Sequence, residues 1–355
     1  MNDRVPINKG NYDLETEERK QEFEKNRAWG WEKEYTEYRK NWIEYPRNQY
    51  ISEYPLNVDI ELSTVCNLHC PMCYTITEEF KQKVCRKFMD MKLFTKIIDE
   101  IKGKVPAVRL SLRGESTLHP NFISCIKYCK ENGIKEVSFL TNASTLTPEY
   151  FKQMAGAGAD WITISIDGIG DTYENIRKPL KFEDTLKKIK EIHKIKAENG
   201  WKRPVIKIQS IWPAIRENPQ EFYNLFAPYV DLIAFNPLID LLGKDQEIVY
   251  ENCFSCPQLY QRIIIGADGK ALICSNDEDG NYQLGDANNE SIYNLWHGER
   301  HEYIRKLHIE NRFKEIDICR NCYLPRATEE NEHAFVNGRE IIIKNYVNRN
   351  QNIGE

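Results

Sequence analysis

Residues 56–73 read "LNVDIELSTVCNLHCPMC", a strand-like run followed at once by three cysteines within eight residues. Three residues lie between Cys66 and Cys70, and two between Cys70 and Cys73. That spacing can place three thiolates on three corners of an iron–sulfur cube. With no fourth cysteine close by, one iron would keep an open position for a substrate or cofactor, whereas a closed structural site wants a fourth thiolate. A zinc or redox site built on the same three thiols is the other reading. The loop follows directly on a strand, which is where a β/α barrel carries its active site.

Outward from the loop, short apolar runs alternate with amphipathic ones from about 56 to 240. "NVDIEL", "AVRLSL", "EVSFL", "WITISI", "VIKIQSI" and "LIAFN" read as six strands, the first five each followed by a helix-like stretch such as "FMDMKLFTKIIDEIKGK" or "NFISCIKYCKENG". Strands alternating with helices of that length predict β-α units and a parallel, barrel-like sheet with functional loops at the strands' C-terminal ends. Phe122, Cys125, Ile126 and Cys129 recur at helical spacing, so Cys125 and Cys129 read as core thiols.

Residues 1–52 form a polar and aromatic extension, read as helix broken near Gly30, with Trp29, Trp31 and Trp42 packing on the main domain. Glu and Lys at four-residue spacing give it a solvated face. From about 250 the chain becomes rich in Gly, Asn and Asp, and "RIIIGADGKALIC" reads as a hairpin across Asp268-Gly269. This predicts a small domain over 250–326 that leans on a metal site, then a C-terminal tail over 327–355 whose stretch from Arg339 onward ends in fraying.

The formal charge of −5 and the lack of a basic stripe argue against a nucleic-acid partner. No apolar run approaches the length of a membrane span, and "MNDRVPINKGNYDLETEERK" has no signal-peptide core. The expected location is cytoplasmic, without membrane association. In a reducing compartment, eleven cysteines read as metal ligands or packed thiols rather than disulfides. Cys253, Cys256, Cys274, Cys319 and Cys322 form a second set, and Cys85 stands apart. A zinc ribbon from the two C-x-x-C pairs is one reading of that set. It must span the 62 residues between the pairs and leaves Cys274 without a role.

The segment from Cys66 to Cys73 resembles the cysteine motif of the radical S-adenosylmethionine (SAM) enzymes. That resemblance implies a partial (β/α)6 barrel over 53–240, one 4Fe-4S cluster held by Cys66, Cys70 and Cys73, and SAM on the open iron. It also implies reductive cleavage of SAM to a 5′-deoxyadenosyl radical, with electrons from a donor such as flavodoxin or ferredoxin. "LSLRGESTLHPNF" resembles the family's Gly-Gly-Glu motif, with Arg113 in place of the first glycine and with Gly114 and Glu115 aligned to hold the SAM ammonium. Thr141, Asn142, Ser165 and Asp167 resemble polar family positions near the ribose or carboxylate. Arg177 is implied to pair with the SAM carboxylate. Met72 takes a slot that is often aromatic, and its backbone can meet adenine.

The second cysteine set resembles the family's auxiliary-cluster domains, in the shorter Twitch form rather than the longer SPASM form. This implies one auxiliary 4Fe-4S cluster on Cys256, Cys274, Cys319 and Cys322 in a small α+β domain. Cys253 is left as a packed thiol, substitute ligand or hydrogen donor. The order 256, 274, 319, 322 is similar to that of the 2-deoxy-scyllo-inosamine dehydrogenases. The function so implied is oxidation of an alcohol carbon on a small polar molecule, a sugar or cyclitol, with an electron passed to the auxiliary cluster. The alternative is a peptide- or protein-modifying maturase that forms a thioether or epimerises a residue. A third class is an iron–sulfur electron carrier.

Overall fold

The computed structural model describes residues 4–239, 247–349 and 351–353. The domain boundary set at 240 and the last residues of both terminal segments lie outside these. Strands β1 (Tyr12–Asp13), β2 (Asn57–Ile60), β3 (Ala107–Arg109), β4 (Glu136–Thr141) and β5 (Trp161–Ser165) are followed by β6 (Val205–Ile211) and β7 (Leu232–Asn236). Further on come β8 (Arg262–Ile265), β9 (Lys270–Leu272), β10 (Gln283–Asp286), β11 (Thr328–Val336) and β12 (Arg339–Tyr346).

The six expected strands are β2 to β7, and consecutive ones pair in parallel. The helices Met91–Ile101, Phe122–Glu131, Pro148–Ala157, Phe182–Glu198 and Pro219–Phe226 connect them. Strand chemistry follows the pleat, in which successive side chains face opposite sides. Val58, Ile60, Val137, Phe139, Ile162, Ile164, Ile206 and Ile208 point outward into the core shared with the helices. Cys125 and Cys129 lie fully buried in that core, and Phe122 meets Phe139 edge-on at 4.9 Å. The alternate residues Asp59, Arg109, Ser138, Thr163, Lys207 and Gln209 face the lumen, which stays a polar cavity rather than a packed interior.

The sheet is open and longer than the sequence suggested. Its order is β1-β7-β6-β5-β4-β3-β2-β8-β9-β10. An unpaired edge invites further strands, and both edges of the six-stranded unit are extended. β1 adds antiparallel to β7, and β8 adds parallel to β2 with the hairpin β8–β9 behind it. Gly269 closes that hairpin at φ 92°, a conformation that costs glycine least. The C-terminal unit is thus continuous with the barrel sheet.

Two expectations are corrected. The segment read as a C-terminal tail carries a hairpin in its described residues, since β11 and β12 pair antiparallel across Asn337-Gly338. This hairpin docks on the barrel, where the Trp212 indole donates to Glu332 at 2.5 Å and Asn337 Nδ2 donates to the Leu14 carbonyl at 3.2 Å. Of the three N-terminal tryptophans, Trp31 is buried and Trp42 packs beside it, but Trp29 is 53% exposed. It falls between the helices Glu17–Arg27 and Glu32–Asn48, at the break expected near Gly30. No helix among the described residues is long and apolar enough to cross a membrane.

Candidate active site

The cysteine loop leaves the C-terminal end of β2 and is tied down before its first cysteine. Thr64 N donates to the Lys87 carbonyl at 3.1 Å, and Thr64 Oγ1 donates to the Cys85 carbonyl at 2.9 Å. Cys73 N then donates to the Cys70 carbonyl at 3.0 Å, which turns the loop back on itself. Each sulfur meets a polar neighbour: Asn142 Nδ2 lies 3.8 Å from Cys66, an Arg177 nitrogen 3.7 Å from Cys70, and Thr75 Oγ1 3.0 Å from Cys73. Burial pushes the Cys66 thiol up and the Cys70 thiol to about 11, despite the Arg177 charge beside it. Such thiols become thiolates when a cationic centre binds them.

The loop after β3 is laced to this one. Gly114 N donates to the Ser63 carbonyl at 3.2 Å and Glu115 N to that of Val65 at 2.8 Å. A β-carbon on Gly114 would stand 2.4 Å from the Ser63 oxygen and 2.7 Å from that of Val65, so only glycine lets the two backbones approach. Gly114→Ala is expected to cost about 1–3 kcal/mol of stability and to weaken SAM binding. A urea midpoint and a SAM dissociation constant both matching wild type would refute that.

Glu115 is buried and committed within the protein. Its carboxylate accepts from Thr117 Oγ1 at 2.6 Å, Thr141 Oγ1 at 2.8 Å and Asn142 N at 2.7 Å. Burial still pushes that carboxyl up against those bonds. Asp167 takes a matching part on the far wall, bonding Arg177 Nε at 2.7 Å and accepting from Ile211 N at 3.1 Å. Arg177, expected on the SAM carboxylate, is paired here with Asp167 and leans on Cys70. One network therefore joins Glu115, Thr141 and Asn142 to Cys66, and another joins Asp167 and Arg177 to Cys70. Among the described residues, neither network includes the side chain of Ser165 or Met72.

Two residues, Asn67 and Glu61, and the role of Arg113 escaped the sequence reading. Asn67 Oδ1 accepts from Asn142 at 3.0 Å. Glu61, fully buried, accepts from Arg113 at 2.7 and 2.5 Å and from Ala267 N at 3.0 Å. Arg113 also donates to the Glu278 carbonyl at 3.1 Å, tying the barrel mouth to the C-terminal unit. An acid directly after β2, with an arginine where a glycine was expected, was the available signal.

The second set converges as well. Cys256, Cys274, Cys319 and Cys322 line one small cavity, walled by Phe254, Leu259, Ile273, Ile318 and Leu324. Cys253 is exposed. Burial pushes the Cys256 thiol to about 12 and raises the other three, and like-charged neighbours push Cys256, Cys274 and Cys319 further. Among the described residues no group of three or more His, Cys, Asp or Glu side chains is arranged to hold a single metal ion. Four thiols converging on one apolar cavity fit a cluster.

His308, missed by the sequence reading, completes this wall. Its Nδ1 accepts from Cys256 N at 3.2 Å, which leaves the proton on Nε2, 3.4 Å from Cys319 Sγ. Asn276 Nδ2 donates to Cys322 Sγ at 3.1 Å. Hydrogen bonds to cluster sulfurs raise reduction potential. His308→Phe, which suits the rings of Phe254 and Phe313 around it, is expected to lower the auxiliary potential in an EPR-monitored titration. An unchanged potential would remove His308 from that role.

Comparison with known proteins matches the same two segments of the chain. A radical SAM superfamily model matches residues 60–226, and that of SPASM, an iron-sulfur cluster-binding domain, matches residues 253–323. A tungsten-containing aldehyde ferredoxin oxidoreductase cofactor-modifying protein of Pyrococcus furiosus is 29% identical over 203 residues, 54% of each chain. An AdoMet-dependent heme synthase of Methanosarcina barkeri is 29% identical over 136 residues, 38% of each. The chain spans about half the length, or less, of these curated relatives. BtrN in complex with AdoMet and 2-DOIA aligns at TM-score 0.53 and 14% identity, covering 76% of this chain and 92% of that one. SuiB of Streptococcus suis bound to S-adenosylmethionine aligns at 0.53 and 15%, covering 77% and 73%. At such identities the likeness is one of fold.

Proposed function

The chain carries a radical SAM domain followed by a SPASM domain, and from that premise we propose that it dehydrogenates an alcohol carbon of a small polar molecule, a sugar or cyclitol. The observation that carries the reading is the single four-cysteine cavity, with Cys253 exposed outside it. Cys66, Cys70 and Cys73 would hold the cluster that binds SAM, and Cys256, Cys274, Cys319 and Cys322 would hold the auxiliary cluster. When bound, these groups supply removal of a hydrogen atom from the carbon and acceptance of the electron left behind. Loss of the hydroxyl proton then balances conversion of the alcohol to a carbonyl.

The protein's own share is positioning and exclusion of water. Gly114 lets the β3 loop lie against the cysteine loop, where the Glu115 and Asp167 networks fix it from opposite walls. A four-ligand auxiliary site has no position left for a substrate, which suits an electron acceptor better than a binding site. Electrons for SAM cleavage would come from a flavodoxin- or ferredoxin-type donor.

The test is product analysis under reducing, anaerobic conditions with a panel of sugars and cyclitols beside peptides. A carbonyl product formed with 5′-deoxyadenosine supports dehydrogenation. Turnover of peptides alone would replace it with the maturase reading.

A further inference from the structure

Below the mouth, the barrel lumen holds a cavity of about 320 Å³ whose charge runs against that of the whole chain. Arg27, Arg39, Arg109, Lys207 and Arg262 line it, against only two carboxylates, Asp59 and Glu136. Arg27 is spent on Glu136, which it binds at 2.5 and 2.7 Å. Arg109 and Arg262 must share Asp59, at 2.5 and 3.2 Å. Each of these two guanidiniums keeps a buried Nε with no hydrogen-bond partner. Lys207 makes no ion pair among the described residues; its amine lies 5.9 Å from the Trp161 ring, within the opposing fields of Arg27 and Asp13.

Buried donors without acceptors are costly, and a surplus of confined cations more so, unless a ligand completes the site. Resting on the dehydrogenase reading, we infer that the lumen floor is an anion subsite: the substrate is a sugar or cyclitol bearing a phosphate or carboxylate, which Lys207, Arg109 and Arg262 hold. Register sets the reach. Gln209 lies level with Ser165 at the mouth, and Lys207 is two residues lower on β6, a drop of about 7 Å at strand rise. That is the length of one sugar ring, so an anionic group on the floor puts a ring carbon at the mouth. Burial beside Arg27 also holds the Lys207 amine down to about 8, a strain that a bound anion relieves.

The experiment is anaerobic calorimetry on the reconstituted enzyme with SAM but without reductant, using glucose 6-phosphate, glucuronate and glucose as probes. Wild type is expected to bind at least one anionic sugar tenfold or more tighter than glucose, and the tighter of the two identifies the group. Lys207→Met, which has no salt bridge to break, is expected to lose that advantage while binding glucose as before. Arg262→Gln serves as the second variant, with a melting curve to confirm folding. Equal affinity for all three probes, or an advantage that survives both substitutions, overturns the subsite. Binding needs no radical chemistry, so its failure leaves oxidation of a neutral sugar standing. Tight anion binding without a carbonyl product would sink the dehydrogenase reading alone.

Discussion

Reconstituted anaerobically, the protein is expected to hold about eight irons per chain, and the Cys66→Ala/Cys70→Ala/Cys73→Ala variant about four, with SAM cleavage abolished. The loss should be complete because the three thiols lie on one short loop and no other cysteine is placed to replace them. Cys85 is exposed further along, and Cys125 and Cys129 are sealed in the core. The fold should survive, since the loop is anchored through Thr64 and the backbones of Gly114 and Glu115 rather than through its sulfurs. A melting curve close to wild type beside four missing irons would show this. Retained 5′-deoxyadenosine formation would refute the assignment of these cysteines. Four irons falling to none would mean that the C-terminal cysteines hold no iron cluster.

Much of this was legible in residues 56–236, because each β-α unit writes its own signal. "LIAFN" became Leu232–Asn236 to the residue, and the apolar face of "FISCIKYCKE" became the buried face of its helix. What stayed illegible was pairing over distance. β1 is two residues long and has no pattern of its own, and nothing in "RIIIGADGKALIC" says that its first strand completes the edge of β2. The C-terminal hairpin is a different case: Asn337-Gly338 between alternating runs is a strong turn signal, outweighed in the reading by the polar composition around it. In the site, cysteine spacing disclosed the ligands, but the partners that orient them did not show. Asn142 and Cys66 lie 76 residues apart, and His308 and Cys256 lie 52 apart. Lumen polarity was hidden for a related reason: Arg109, Lys207 and Arg262 each sit in an apolar strand, and only the curl of the open sheet turns them toward one cavity.

Cys319→Ala/Cys322→Ala is expected to reduce carbonyl product at least a hundredfold while 5′-deoxyadenosine formation falls less than fivefold. The division follows from where these residues stand. Cys319 lies in the short helix Asp317–Asn321 and Cys322 directly after it, both on the wall of the auxiliary cavity and remote in the chain from the β2 loop. The bridge between the two sites is Arg113, held on Glu61 and reaching the Glu278 carbonyl, and neither substitution touches it. Removal of two of four ligands empties the auxiliary site, so substrate that has lost hydrogen has no acceptor for its remaining electron. It must then recover a hydrogen, and SAM is consumed without product. A purely structural role predicts another pattern: apolar walls from Phe254 to Leu324 collapse, β8 loosens from β2, and cleavage and product fall together. The ratio of the two products therefore decides the question where either rate alone would not, and equal losses would make the C-terminal unit a brace for the barrel rather than a partner in the chemistry.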